Sequence, residues 1–430
     1  MSIEELYKIF IKHPVISTDS RHVEPDSLFF ALKGDTFNGN DYAAVALESG
    51  AAYAVIDEEI DMPDDRYILV QDVLTSLQDL ARYHRLQLAI PIIAITGTNG
   101  KTTTKELITK VLSEKFRVTS TKGNLNNHIG VPLTLLSMNA STQIGVVEMG
   151  ANHQGEIAAL CSIALPDYGI ITNVGKAHLE GFGSFEGVKK TKAELYRFIE
   201  QHGGQVFLNT ANHHLVEMAA GVKTIDYKSD RTGSGIEGEV VSSSPYLVCR
   251  VKFPKGWLYV KTNMAGSYNL ENTIASVCIG NYFGISPEEI CDAIGKYIPS
   301  NNRSQMIKTA DNQVLMDAYN ANPTSMNAAL ESFDSYESPL KAVILGDMFE
   351  LGDDAHDEHQ KITDRLSKMN LSLVLLSGKE FFGCAAPVNF HLFEDKEMLI
   401  QYLEDLKPKG YLFLIKGSRG MKLENVVERL

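Results

Sequence analysis

The sequence predicts an α/β protein of three domains: a small N-terminal α/β domain, a central domain on a mostly parallel, P-loop-type sheet with flanking helices, and a C-terminal Rossmann-like α/β domain. Three observations carry this. Apolar strand-like runs alternate with helical patterns over 85–298, and the alternation restarts over 299–430, as in parallel sheets covered by helices. A glycine loop, Gly97-Thr98-Asn99-Gly100-Lys101-Thr102, separates one such strand from its helix. Polar residues follow apolar runs at 96–102, Glu148, Asn173, Asp317, Asp347 and Lys416, where open α/β sheets bind ligands.

Each segment has its own pattern, and 430 residues suffice for two or three cores. In 1–84, short apolar runs at 28–32, 51–56 and 67–70 lie between polar loops, one of them Asp19-Ser20-Arg21. A helical stretch at 76–88 leads into the second segment. There the strands fall at 92–95, 144–148, 168–172 and 205–208. The β-rich, glycine-containing 222–262 reads as a small antiparallel addition, and 266–284 as a helix. In 299–430, strands are expected at 314–317, 342–345, 373–376 and 411–415, with helices at 324–333, 356–368 and 396–406.

Composition narrows the function. A net charge of −14 disfavours a nucleic-acid binder, so a phosphate ligand needs local cations to overcome the global field. Five scattered cysteines without a C-x-x-C pair argue against zinc and disulfides and fit a reducing, cytoplasmic setting. The first residues lack the basic start and apolar core of a signal peptide, and no apolar run approaches the roughly 20 residues of a membrane helix.

The glycine loop suits a nucleoside triphosphate. Glycines let backbone N–H groups crowd around phosphate, and the following helix adds partial positive charge. Lys101 reaches the terminal phosphates, the Thr102 hydroxyl suits Mg²⁺, and Thr98, Asn99 and Thr103 complete the cradle. The usual loop has a further glycine where Ile95 stands, so only the tighter Gly-x-x-Gly-Lys-Thr form is present.

Glu148, at a strand tip, reads as a Mg²⁺ ligand or as a solvated strand end. His178 ligates a second metal, orients a carboxylate or is structural. Lys192 precedes the helical stripe Leu195, Phe198 and Ile199, and from pattern alone its region reads as a basic exposed face. Asn124, Asn126 and Asn127 form either a ligand loop or a plain turn.

Taken in order, these residues resemble the Mur ligase family, ATP-dependent amide-forming enzymes of peptidoglycan precursor synthesis, over essentially the whole chain. The resemblance implies that 97–102 holds ATP, that Glu148 and His178 are Mg²⁺ ligands, and that Lys192, in Lys-Ala-Glu-Leu-Tyr, is carbamylated. It implies adenine contact at Asn269 and Asn272, and phosphate and ribose contact at Arg303 and Asp317. The motif 317–326, with Asn320 and Asn322, the loop 345–352 and the loop 122–132 are similar to those of the family's dipeptide-adding member. Ser20 and Arg21 resemble part of a UDP-sugar-binding domain. The Asp-Asn-Pro-Arg motif of the sister ligase that adds a diamino acid is absent.

The resemblance therefore implies UDP-MurNAc-tripeptide and D-Ala-D-Ala as substrates, ATP with two Mg²⁺, a monomer, and an acyl-phosphate mechanism. A free lysine would repel a metal, whereas a carbamate supplies two oxygens. Asp347 is expected to orient or deprotonate the incoming amine, and closure about a hinge at 297–302 to deliver Arg303. An NTP-driven switch is the contrasting reading. Tyr227-Lys228-Ser229-Asp230, the nearest approach to a guanine-reading motif, lacks its leading residue.

Overall fold

The computed structural model describes residues 1–59, 64–177, 179–228 and 235–430. They form three lobes, each on its own sheet. The first carries four parallel strands in the order Ile16–Ser17, Leu28–Phe30, Tyr53–Ile56, Tyr67–Leu69, with a small hairpin, Lys33–Gly34 with Phe37–Asn38, beside them.

The second lobe holds a nine-stranded sheet. Its order is Gly256–Lys261, Val248–Phe253, Ile236–Ser242, Thr224–Lys228, Gln205–Asn209, Tyr168–Ile171, Ile92–Thr96, Ile144–Glu148, Val118–Ser120. Strand residues alternate between two cores. Ile92 and Ala94 join one, Ile93 and Ile95 the other, so helices cover both faces. Ile95 is thus a core residue, and the phosphate loop begins only at Gly97. The β-rich 222–262 extends this same sheet. Thr224–Lys228 runs parallel to its neighbour, and only the last three strands pair antiparallel.

The third lobe has six strands in the order Gln305–Lys308, Gln313–Met316, Leu412–Lys416, Lys341–Gly346, Leu373–Ser377, His391–Phe393, parallel except for the first pair. Leu315, Val343 and Leu345 enter one core, and Val314, Met316 and Ile344 the other.

The helix Val73–Leu88 belongs to two lobes at once. Asp72 starts it by accepting the Thr75 N–H at 2.7 Å, and Ala89 ends it in the left-handed region. Val73, Leu77, Leu80 and Ala81 pack with Leu6, Phe10 and Phe30 of the first lobe in a core that continues into Ile92, Ala94 and Val131. Near its end, His84 bridges Tyr7 Oη (3.2 Å) and the Met138 carbonyl (2.9 Å), and Arg85 pairs with Asp167 at 2.8 Å. The boundary expected after residue 84 falls inside this helix.

The second and third lobes touch at several points. Lys176 donates its N–H to Thr324 Oγ1 (3.1 Å) and its ammonium to Glu358 (3.0 Å), while the Ser267 N–H donates to Ser332 Oγ (3.1 Å).

Candidate active site

A cleft of about 890 Å³ opens between these two lobes, walled by residues that follow strands of both sheets. Its floor is the loop 98–101, which Gly97 leads into. Gly97 (φ +143°) and Gly100 (φ +79°) need to be glycine. A Cβ there would stand 2.0 Å from Thr172 Oγ1 and 2.5 Å from Asn272 Oδ1 respectively. Asn173, after the neighbouring strand, fixes the loop. Its carbonyl accepts the Thr98 N–H (3.0 Å), its Oδ1 the Asn99 N–H (2.9 Å), and its Nδ2 donates to the Asn99 carbonyl (3.1 Å). Thr103, on the first turn of helix Lys101–Leu112, also lines the cleft.

Lys101 folds back over the loop, donating to the carbonyls of Gly97 (2.7 Å) and Thr98 (3.0 Å). Desolvation pushes its pKa below the usual lysine range. Glu148 opposes that shift, and the like charge of Arg303 adds to it.

Glu148 is buried, which excludes the solvated strand end. Its two oxygens accept from Thr102 Oγ1 (2.8 Å) and Asn126 Nδ2 (2.9 Å). Its N–H donates to Thr121 Oγ1 (2.9 Å), and Lys105 Nζ holds the Thr121 carbonyl (2.7 Å). A carboxylate and a hydroxyl adjoining a phosphate loop form the oxygen donor set that Mg²⁺ takes together with water and phosphate. Among the described residues no group of three or more His, Cys, Asp or Glu could hold a metal.

Lys192 is not on an exposed face. It points inward from helix Phe185–Gln201, only 2 % exposed, over the ring of Phe182. Burial, with the like charge of Lys101, pushes its pKa down to about 7. It is not among the residues lining the cleft. His178 lies outside the described residues.

From the third lobe, Asp317 pairs with buried Lys416 at 2.6 Å. Arg303 stacks on Tyr319, its Cζ 3.4 Å from the ring centroid, and Arg419 approaches the same ring at 5.4 Å. Ser418 and Arg419 escaped the sequence reading, and Tyr319 entered it only inside the motif 317–326. The segment 416–420 follows the apolar run 412–415, so the strand-end rule that marked Lys416 would have found Ser418 and Arg419 a little further along.

The cleft thus gathers 98–103, Asn124, Asn126, Asn127, Glu148, Asn269, Asn272, Arg303, Asp317, Asn320 and Asn322. Asn126 holds Glu148, and Asn127 Oδ1 accepts the Gly130 N–H at the start of a helix (2.9 Å). Asn269 and Asn272 line the wall, but their amides engage each other, Thr104, Ser304 and the Ala265 carbonyl.

Three of the expected site residues lie outside this cleft. Asp347 does not line this cleft. Its buried carboxylate accepts the N–H groups of Glu380 and Phe381 (3.1 Å each), with His359 3.7 Å away, and it borders an adjoining pocket that shares Phe349, Glu350 and Gly420 with the cleft. It therefore organises the turn after strand Leu373–Ser377. Ser20 and Arg21 lie on a first-lobe loop outside the cleft, where exposed Arg21 pairs with Asp19 at 2.7 Å.

A phosphate loop and a buried carboxylate on one α/β lobe, facing cationic side chains from another, define a two-lobed nucleotide-dependent enzyme. The chain belongs to the Mur ligase family. Residues 14–85 match the family's catalytic domain, 95–280 the Mur ligase middle domain and 302–419 the "Mur ligase, glutamate ligase domain". The chain is 35% identical over 426 residues to UDP-N-acetylmuramoyl-tripeptide–D-alanyl-D-alanine ligase of Bacillus subtilis, covering 96% of this chain and 92% of that one. Its fold is similar to a crystal structure of MurF from Acinetobacter baumannii (TM-score 0.87, 31% identity, 96% and 92% covered). It is also similar to MurF ligase from Thermotoga maritima in complex with ADP (TM-score 0.86, 26% identity, 96% of each chain).

Proposed function

We propose that this protein is an ATP-dependent amide ligase that joins D-Ala-D-Ala to UDP-MurNAc-tripeptide, releasing ADP and phosphate, in peptidoglycan precursor synthesis. The observation that carries the reading is the single cleft with Lys101 and Glu148 on one wall and Arg303 on the other. The names of the relatives supply the substrates.

The reaction begins with a carboxylate, a poor electrophile. Its oxygen bonds to the γ-phosphorus of ATP as the bond to the β-phosphate bridging oxygen breaks, and ADP leaves. The neutral amine of the dipeptide then attacks the acyl carbon, its nitrogen gives up one proton to the departing phosphate or to solvent, and phosphate leaves with its bonding pair. The protein's work is to position these groups and neutralise charge. Lys101 leaves its loop carbonyls to meet the γ-phosphate, and loop N–H groups hold the β-phosphate. Arg303 adds charge-assisted hydrogen bonds of about 1.5–3 kcal/mol each. Asp317 faces ribose, Asn124, Asn126 and Asn127 the peptide, and Asn320 and Asn322 the acceptor. Ser20 and Arg21, with the first lobe, take the UDP end.

Thr102 and Glu148 would hold Mg²⁺, which when bound offsets the charge of the phosphates. Lys192 as an ammonium does not fit a metal. Its lowered pKa favours the neutral amine that takes up CO₂, and the resulting carbamate would suit a second Mg²⁺ with His178. We read the protein as a cytoplasmic monomer. Among the described residues no helix is long and apolar enough to cross a membrane.

An ADP-release assay with UDP-MurNAc-tripeptide tests the reading. Turnover on addition of D-Ala-D-Ala is expected, with near silence when the dipeptide is omitted or replaced by a diamino acid. Turnover indifferent to the amine, or nucleotide hydrolysis without the sugar peptide, overturns it.

A further inference from the structure

A line of hydrogen bonds crosses from the phosphate-loop helix to the third lobe. Thr104 Oγ1 donates to Asn272 Oδ1 at 3.0 Å, and Asn272 Nδ2 donates to Asn269 Oδ1 at 2.9 Å. Asn269 Nδ2 donates to Ser304 Oγ at 2.9 Å. The Ser304 N–H donates to Asp317 Oδ1 at 3.3 Å, and Lys416 Nζ donates to Asp317 Oδ2 at 2.6 Å. Thr104, Asn269, Asn272, Ser304 and Lys416 are all buried, so water competes little for these bonds.

Ser304 is the junction. Its hydroxyl also lies 3.0 Å from Tyr268 Oη, and its carbonyl accepts the Ala265 N–H at 3.0 Å, so each of its polar groups is engaged. Its backbone is left-handed (φ +48°), as are those of Asn301 (φ +62°) and Asn302 (φ +56°). Asparagine tolerates that region and serine does so less readily, so Ser304 is held there by its partners. Arg303 sits inside this forced turn, which lays its guanidinium on Tyr319 at the cleft wall.

We propose that Ser304 is a positioning residue for Arg303. Its hydroxyl, held by Asn269 and Tyr268, locks the turn that presents the guanidinium, and the line through Asn272 and Thr104 ties that turn to the helix bearing Lys101. The inference rests on the ligase reading above. It differs from a purely fold-holding role in one respect. A fold-holding serine costs activity whether or not Arg303 is present, whereas a positioning serine matters only through it.

The test is a double-mutant cycle in the full-length protein, read by dipeptide-dependent ADP release and by equilibrium ATP binding. The variants are Ser304→Ala, Ser304→Gly, Arg303→Ala and their combinations. Glycine suits the left-handed backbone yet removes the hydroxyl, and so separates the hydrogen bonds from backbone strain. Both Ser304 variants are expected to lower kcat about tenfold, the scale of a small misplacement of a catalytic group. The KM for D-Ala-D-Ala and ATP binding should stay within about twofold, and in the Arg303→Ala background the Ser304 change should cost less than about twofold. Tyr268→Phe, which removes one of the two holds on the Ser304 hydroxyl and changes no residue of the turn, should show a smaller loss with the same dependence on Arg303. Parental kcat in Ser304→Gly, or losses that multiply with that of Arg303→Ala, overturns the proposal. A parent without dipeptide-dependent ADP release overturns the ligase reading itself, and is seen before any variant is made.

Discussion

Asn322 Nδ2 donates to Asn99 Oδ1 across 2.8 Å, joining the third lobe to the phosphate loop by a single amide pair. The same Asn322 caps helix Pro323–Asp334, its Oδ1 accepting the Ser325 N–H at 2.9 Å. One side chain therefore starts a helix and clasps two lobes.

These two roles separate by substitution. Asn322→Asp keeps the acceptor that caps the helix but loses the donor to Asn99. Its melting temperature should stay near the parent's. Its kcat/KM for ATP should fall by about two- to tenfold, the range of one net hydrogen bond of roughly 0.5–1.5 kcal/mol. Asn322→Ala loses the cap as well and should be destabilised by about 1 kcal/mol. Denaturant melts together with steady-state kinetics check both.

Lys101→Met retains the stem and removes the charge. We expect kcat to fall about a hundredfold or more, by analogy with loss of a preorganised electrostatic donor. Folding should survive, because the loop keeps its bonds to Asn173. Circular dichroism and ADP release on the same preparation decide this.

Lys192 yields a pH dependence of defined sign. With its pKa lowered to about 7, the amine is mostly protonated below that pH and mostly neutral above it. At fixed dissolved CO₂, uptake of ¹³C label from bicarbonate at this residue should therefore rise from pH 6 to pH 8, and Lys192→Arg should abolish it. Activity in CO₂-depleted buffer should fall and return on adding bicarbonate. Label uptake that is flat with pH counts against the carbamate.

Asp347→Ala should harm stability rather than chemistry. It strips the N–H groups of Glu380 and Phe381 of their acceptor, at a cost of about 1–3 kcal/mol per buried group left unpaired. The KM for D-Ala-D-Ala and kcat below the melting transition should stay within about twofold of the parent. A large KM effect in a stably folded variant would return Asp347 to the active site.

What the sequence displays is local. The strands around 92–95 and 144–148 were legible because apolar runs are bounded by polar strand ends, and the phosphate loop because glycine and lysine spacing alone encodes it. Lys192 became a candidate only through family resemblance. Its helix carries basic residues at 189 and 190, which drew it toward an exposed face, although its spacing of three, four and seven from Leu195, Tyr196 and Ile199 puts it on the buried stripe. Asp347 shows the converse. It follows a strand, as site residues do, but the turn it serves is made by residues more than 30 positions away. Arg303, Tyr319 and Arg419 share one stack from three separated positions, an arrangement that sequence order cannot foreshadow.

The helix Val73–Leu88 sets a rule for anyone building hybrids of this enzyme. Because His84 and Arg85 are anchored in the middle lobe while Leu77 and Leu80 seal the leading one, a splice at residue 84 would cut through a shared hydrophobic seam. A graft that brings in a foreign leading lobe should cross over beyond Ala89 and carry partners for Met138 and Asp167. Otherwise both fragments would be left with sticky, half-covered surfaces.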